Sequence, residues 1–295
     1  MQASLQSRME PKQTNTTQKK TRAVCTRCQF PKERACICQA LPDTPLSTLF
    51  RRCRVIVLQH PHELRRKNRS LPLVELALFG KHQKEHQTKS EDDFVMKTIV
   101  GRRIGDKSDQ AVMKLLNDPE EVAVLVFPHL EAMDLEDGLA LAESRIKGNS
   151  SSEDDEGKKD IDSLDKKINL IFIDASWKHA KEMENKSQEV GGWPKNLIRV
   201  QLTPSTENAK ATSKNSEPVY LERRFQIRAP PSPDHLSTAE CLAWIVSRVE
   251  ENPEIYEGIM KVLDYMVELW RSHVGGDNKS REMSQKKRKI TSNKK

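Results

Sequence analysis

Short β-branched runs alternate with segments of helical spacing along most of this chain. The runs fall at 53–59 (CRVIVLQ), 98–100 (TIV, the weakest), 122–127 (VAVLVF), 168–174 (INLIFID) and 197–202 (LIRVQL). Most are continuous in apolar residues rather than strictly alternating, as strands buried on both faces are. The pattern therefore predicts an α/β fold built on a mostly parallel sheet with helices on both sides. The strongest helical patterns fall at 71–79, 176–187, 237–250 and 254–272. In the last, Ile255, Ile259, Val262, Met266 and Leu269 recur at helical spacing and mark a packing face.

Two stretches break the pattern. Residues 1–22 and 147–167 are polar and of low complexity; the second, KGNSSSEDDEGKKDIDSLDKK, cannot bury a face and reads as a disordered surface insertion. No run of eighteen apolar residues occurs, so no membrane span is expected. The formal net charge of +7 is concentrated in residues 279–295, which hold eight Lys or Arg and one Glu. That segment reads as a basic disordered tail from about 275, either a solvated terminus or, through Lys286, Lys287, Arg288 and Lys289, a nuclear-import signal or a tether for RNA. Nucleus and/or cytoplasm is the expected location. A second basic cluster, Arg51, Arg52, Arg54, Arg65, Arg66, Lys67 and Arg69, flanks the first strand and is the better candidate for holding a polyanion.

Cysteine placement adds a site. Cys25, Cys28, Cys36 and Cys38 lie within fourteen residues as a CxxC pair followed by a CxC pair, which can supply all four thiolates of one tetrahedral zinc. Such a knuckle, over about 23–42, is structural and leaves no open position for catalysis. With no secretory signal, the six cysteines argue for a reducing compartment rather than a disulfide framework. The remainder, 43–274, is read as one domain carrying the 147–167 insertion.

Parallel sheets bind ligands beyond the carboxyl ends of their strands. Three predicted strand ends are polar: Gln59, His60, Pro61, His62 and Glu63; Pro128, His129 and Glu131; and Asp174, Ala175, Ser176 and Trp177. No GxGxxG, P-loop or GxSxG accompanies them, which argues against a dinucleotide site, an NTPase or a hydrolase elbow. His60 and His62 read equally well as satisfied strand-end residues. At 174–177 two readings stay open. One of Asp174 and Ser176 caps the next helix while Trp177 packs beneath it, or Asp174 accepts a proton beside an aromatic wall.

Taken in order, these segments resemble a family. DASW at 174–177 is similar to the D-x-[TS]-W signature of DTW-domain proteins. It is preceded by the cysteine cluster, QHPHE at 59–63 and the strand ending Phe127-Pro128, and followed by FQIRAP at 225–230 and STAEC at 237–241. The resemblance covers roughly residues 24–272. It implies a SPOUT-like, trefoil-knotted α/β class and tRNA-uridine aminocarboxypropyl transfer, in which S-adenosylmethionine gives its 3-amino-3-carboxypropyl (acp) group to uridine N3. The chain departs from the pattern at Ser176, where threonine is commoner, at His129, where a small residue is usual, and in its long acidic insertion.

On that reading Asp174 is the candidate base and Glu240 the alternative, with Ser176 and Trp177 beside them. Phe127, Pro128 and His60 are placed against the donor, whose carboxylate would meet Arg228 or the amides at Ser237 and Thr238. Ser237, Thr238 and Glu240 read as well as a helix N-cap with its capping box. Arg51, Arg52, Arg65, Arg66, Lys67, Arg69, Arg223 and Arg224 would hold tRNA phosphate. Two other functions use the same features: a SAM-dependent RNA methyltransferase, and a non-catalytic zinc-knuckle RNA-binding protein. The sequence identifies no protein partner.

Overall fold

The computed structural model describes residues 23–66, 68–80, 94–105, 108–148, 166–202, 223–227 and 236–292, with 274–292 as backbone alone. Six strands form one sheet in the order β2-β1-β5-β3-β6-β4. They are β1 Cys53–Gln59, β2 Met96–Val100, β3 Val122–Val126, β4 Met133–Asp134, β5 Ile168–Asp174 and β6 Ile198–Gln201. Every pairing is parallel. The predicted strands at 53–59 and 168–174 match β1 and β5 residue for residue, and these two run side by side in register from Cys53 opposite Ile168 to Gln59 opposite Asp174.

Alternation along the central strands feeds two cores. Val55, Val57, Val124, Leu170 and Phe172 face one, covered by α2 Leu71–Phe79, α4 Leu135–Gly148, α6 Thr238–Val249 and α7 Pro253–Ser292. Ile56, Leu58, Leu125, Ile171 and Ile173 face the other, covered by α3 Gln110–Asn117 and α5 Trp177–Glu189. Helix α2 is buried along its whole length from Leu71 to Leu78, so its apolar residues have no polar face to alternate with; it closes on Gly80 in the left-handed region at φ 71°. Sequence reading named no helix at α3 or α4. The first is only eight residues long. The second carries Gly138, where an added Cβ would lie 2.1 Å from a Val200 methyl, so glycine is what allows α4 its approach to β6.

The amino-terminal edge of the sheet is tied down by one carboxylate. Glu250, just after α6, accepts from the backbone N–H of Arg51 at 2.8 Å, of Arg52 at 3.0 Å and of Cys53 at 2.9 Å. Since α6 ends at the start of β1, it runs antiparallel to the strands, and its Ser237 end lies toward their carboxyl ends. The N-terminal knuckle is not a separate body. Cys28, Ile37, Leu41, Leu46 and Phe50 belong to the first core, Arg27 Nε donates to Gly80 O at 3.0 Å, and Tyr265 of α7 donates to Gln39 at 3.1 Å.

The backbone of α7 continues to Ser292, past the expected end at 272 and through most of the segment read as a disordered tail. Most of the 147–167 insertion and all of 1–22 lie outside the described residues. So does the path through 203–222 and 228–235 that bears on the implied knot. No helix among the described residues is long and apolar enough to cross a membrane.

Candidate active site

Parallel register brings the carboxyl ends of β1 and β5 together, and with them Gln59 and Asp174. Gln59 Nε2 donates to Asp174 Oδ2 at 2.7 Å, and the strand ladder extends one step further as His60 N donates to Asp174 O at 3.0 Å. Both side chains are nearly buried, Asp174 with 8% of its surface exposed. An amide donor on one oxygen fixes the orientation of the carboxylate.

A second acid lies on the same side of the sheet. Glu75, the single charged residue of α2, is 6% exposed, and Thr98 Oγ1 is 3.5 Å from its Oε1. Burial pushes its carboxyl up to about 7, with Arg69 and the Thr98 hydroxyl pulling down and the charge of Asp174 pushing further up. Acids perturbed mainly by burial, with a second carboxylate nearby, cluster at functional sites.

Ser176, not Asp174, is the N-cap of α5: its hydroxyl oxygen accepts from His179 N at 3.5 Å and lies 3.0 Å from His179 Nδ1. Trp177 packs on the second core, with its ring centroid 6.4 Å from that of Phe127 and the planes at 31°. Pro128, next along, is exposed. Thus Asp174 stays clear of capping, while Phe127 and Trp177 stand together at the ends of β3 and β5 as an aromatic wall.

His60 caps the short helix α1 Pro61–Leu64, its Nδ1 accepting from His62 N at 3.1 Å. Its ring stacks on His179 with centroids 4.2 Å apart and planes at 6°, and His62 meets both rings edge-on at 4.7 and 5.0 Å. Burial lowers the basicity of His60, and the charges of His179, His62 and Arg102 lower it further.

The α6 candidates form a structural clamp. Ser237 Oγ accepts from Glu240 N at 3.3 Å and Glu240 Oε2 from Ser237 N at 2.8 Å, a complete capping box; Glu240 Oε1 accepts from the backbone of Arg224 at 2.6 Å and Phe225 at 2.8 Å. Thr238 is the first helical residue. Glu240 therefore ties the 223–225 segment to α6, and both of its carboxylate oxygens are taken up by backbone N–H groups. Arg228 and Lys67 lie outside the described residues.

The basic cluster read as one surface is two. Arg51 and Arg52 stand just before β1 and Arg54 is its second residue; Arg51 is exposed, whereas Arg52 pairs with Glu143 at 2.8 Å and with Glu251, and Arg54 with Glu121 at 3.1 Å. Arg65, Arg66 and Arg69 lie past the other end of a seven-residue strand, about 20 Å away. Arg224 pairs with Asp264, and Arg223 donates to Phe225 O at 3.2 Å. Sequence proximity had merged groups that the strand separates. Gln59 stood out in the sequence only as a polar strand end, and three residues at the carboxyl edge were not singled out at all: Glu75, His179 and Arg102. Of these Glu75 left a readable signal, a lone acid in LPLVELALF.

At the knuckle, Cys25 Sγ lies 3.5 Å from Cys38 Sγ and Cys28 Sγ 3.8 Å from Cys36 Sγ, with all four cysteines free. Tetrahedral zinc–thiolate bonds of about 2.3 Å put sulfurs about 3.8 Å apart. Backbone N–H groups of Cys28 and Arg27 lower the Cys25 thiol to about 6, whereas burial raises the thiols of Cys28 and Cys38 in the metal-free cluster. The four sulfurs could hold one metal ion.

The family model of the DTW domain matches residues 22–271. The chain belongs to the DTW domain family. Curated relatives include tRNA-uridine aminocarboxypropyltransferase 2 of Macaca fascicularis, 24% identical over 86% of this chain and 65% of the relative, and its Mus musculus counterpart, 25% identical over 85% and 65%. Arabidopsis thaliana tRNA-uridine aminocarboxypropyltransferase A is 26% identical over 83% of this chain and 80% of its own. The chain thus spans just under two thirds of the two mammalian relatives. No solved structure gives a significant match. In this DTW chain the signature 174–177 joins the end of β5 to the start of α5, so its Asp and Trp face a common edge through the strand-to-helix turn.

Proposed function

We propose that this DTW protein transfers the 3-amino-3-carboxypropyl group of S-adenosylmethionine to N3 of a uridine in tRNA, forming acp3U and methylthioadenosine. The observation that carries the reading is Asp174: a nearly buried carboxylate at the family signature, oriented by Gln59 at the same strand edge as Phe127 and Trp177, which pack with the core on the other face of the sheet. The family and the printed names of the three relatives supply the reaction class.

In this reading the uridine imide nitrogen attacks the γ-carbon of the donor, the N3–C bond forms and the C–S⁺ bond breaks, leaving a neutral thioether. Asp174 takes the N3 proton. Base and donor must be held together, because positioning supplies much of the acceleration in such displacements. Burial raises the Glu75 carboxyl to about 7, which limits the negative charge beside Asp174. Phe127 and Trp177 offer π faces to the adenine and the sulfonium. Arg228 is one candidate for the donor carboxylate, in preference to the amide of Ser237, which is already bonded to Glu240. Arg65, Arg66 and Arg69 would hold phosphate at the same edge, and the Cys25, Cys28, Cys36 and Cys38 site would hold zinc as a structural ion.

The test is an assay of the purified chain with bulk tRNA and S-adenosylmethionine labelled separately in the carboxyl carbon and the methyl group, read by nucleoside mass spectrometry. Carboxyl label on uridine is expected. Methyl label would make the protein a methyltransferase, and neither label would favour an RNA-binding role.

A further inference from the structure

We propose that His62, His179 and Arg102, gathered around His60, form an oxyanion-binding site that takes a phosphate of the RNA or the amino-acid carboxylate of the donor. The proposal rests on reading this edge as a transferase site. Its ground is a concentration of basic groups faced, among the described residues, by a single carboxylate, Glu182, whose charge acts on His60, His179 and Arg102. One ring nitrogen from each of His60, His62 and His179 lies within 4.8 Å of the other two, brought together by α1 and α5. Among the described residues, no carboxylate lies within ion-pair distance of these three rings, and Arg102 makes no ion pair. The groups facing His60 are His62 from its own helix, His179 and Glu182 from α5, and Arg102 from the turn after β2. Glu182 is already bonded to Lys186 at 2.5 Å, and Glu63, the acid of α1, is buried and paired with Arg66 at 3.2 Å.

A metal ion is the other ligand that three imidazoles suggest, and the geometry argues against it. His60 Nδ1 accepts a backbone N–H, so the neutral ring carries its proton on Nε2. Coordination through Nε2 would require that proton on Nδ1 instead. His60 and His179 are also parallel at 4.2 Å, and ligand lone pairs lie in the ring plane, so the two planes have no common point for an ion. As neutral rings they offer N–H donors, and as cations they repel one another until an anion sits among them. An oxyanion therefore raises the basicity of the cluster when it binds, and binding tightens as pH falls.

The experiment uses the full chain, the His62→Gln/His179→Gln double variant and Arg102→Gln, each checked for folding by thermal melting. Titration with inorganic phosphate, followed by imidazole NMR, should shift the cluster rings in the wild type and not in Arg102→Gln. Absence of any shift overturns the site, whereas shifts in a protein that transfers no acp group uphold the site and reject the transferase reading. Dissociation constants for tRNA and for S-adenosylmethionine are then compared at pH 6 and pH 8. One ligand should bind roughly fivefold tighter at pH 6 to the wild type, with no such gain in the double variant. If that ligand is tRNA, Arg102→Gln should lower the slope of log affinity against log salt by about 1. A gain confined to S-adenosylmethionine makes the donor carboxylate the occupant. Equal pH dependence in wild type and double variant, or a bound metal equivalent lost with the two histidines, overturns the proposal.

Discussion

The two ends of strand β1 are built on opposite terms. At its start, Glu250 satisfies three consecutive backbone amides, and Arg52 and Arg54 are paired to Glu143, Glu251 and Glu121. Most of the charge there is met by carboxylates of the chain itself. At its finish, His60 crowds against two other imidazoles, Asp174 and Glu75 press two carboxyls into one buried region, and apolar side chains reach solvent, Leu64 at 45% and Leu130 fully exposed. A chain tolerates such unsatisfied arrangements where binding or chemistry settles them, so the contrast itself locates the site.

That contrast can be tested at both ends. Asp174→Asn should lower turnover by about two to four orders of magnitude while leaving tRNA affinity and the melting temperature near wild type; a collapsed melt instead would make Asp174 a structural residue. Glu250→Ala is the opposite case. It strands the amides of Arg51, Arg52 and Cys53 and should cost about 2–4 kcal/mol in denaturant unfolding, with turnover per folded molecule retained.

Glu75→Gln should do the reverse of Glu250→Ala, by a smaller amount. Its folded-state value of about 7 lies above the unfolded carboxyl near 4.5, so the folded state holds the extra proton. Stability is then lost as pH rises from about 4.5 to 7 and stays low above it. The neutral variant should gain about 1–3 kcal/mol at pH 8 and nothing near pH 4, measured by unfolding at both. The smallest effect separates the arginines. Arg65→Ala should reduce the salt slope of tRNA binding by about 1, and Arg52→Ala should leave it unchanged. Equal slopes would rejoin the basic cluster that the strand divides.

Much of this was legible in the sequence for a physical reason. Strands β1 and β5 are buried on both faces, so their apolar runs are continuous and end where burial ends; the predicted limits at 59 and 174 are the observed ones. The Cys cluster was legible because its four ligands lie within one short segment. Helices α3 and α4 were not, since α3 is too short to accumulate periodicity and α4 interrupts its pattern with Gly138. The site was half legible. Asp174, Ser176 and Trp177 are contiguous, and capping geometry follows from local order, but Gln59 bonds Asp174 across 115 positions and His179 meets His60 across a comparable gap.

By itself, then, the sequence determined the elements whose burial is uniform, the order in which they come, and the residues of each strand-to-helix turn, because all of these depend on neighbours along the chain. The tertiary structure decided the rest. Parallel register put Gln59 against Asp174, the packing of α2 set Glu75 beside them, and the length of one strand carried Arg52 away from Arg65. These outcomes depend on which strands lie side by side, and pairing between distant segments is fixed only when the whole sheet closes over its two cores.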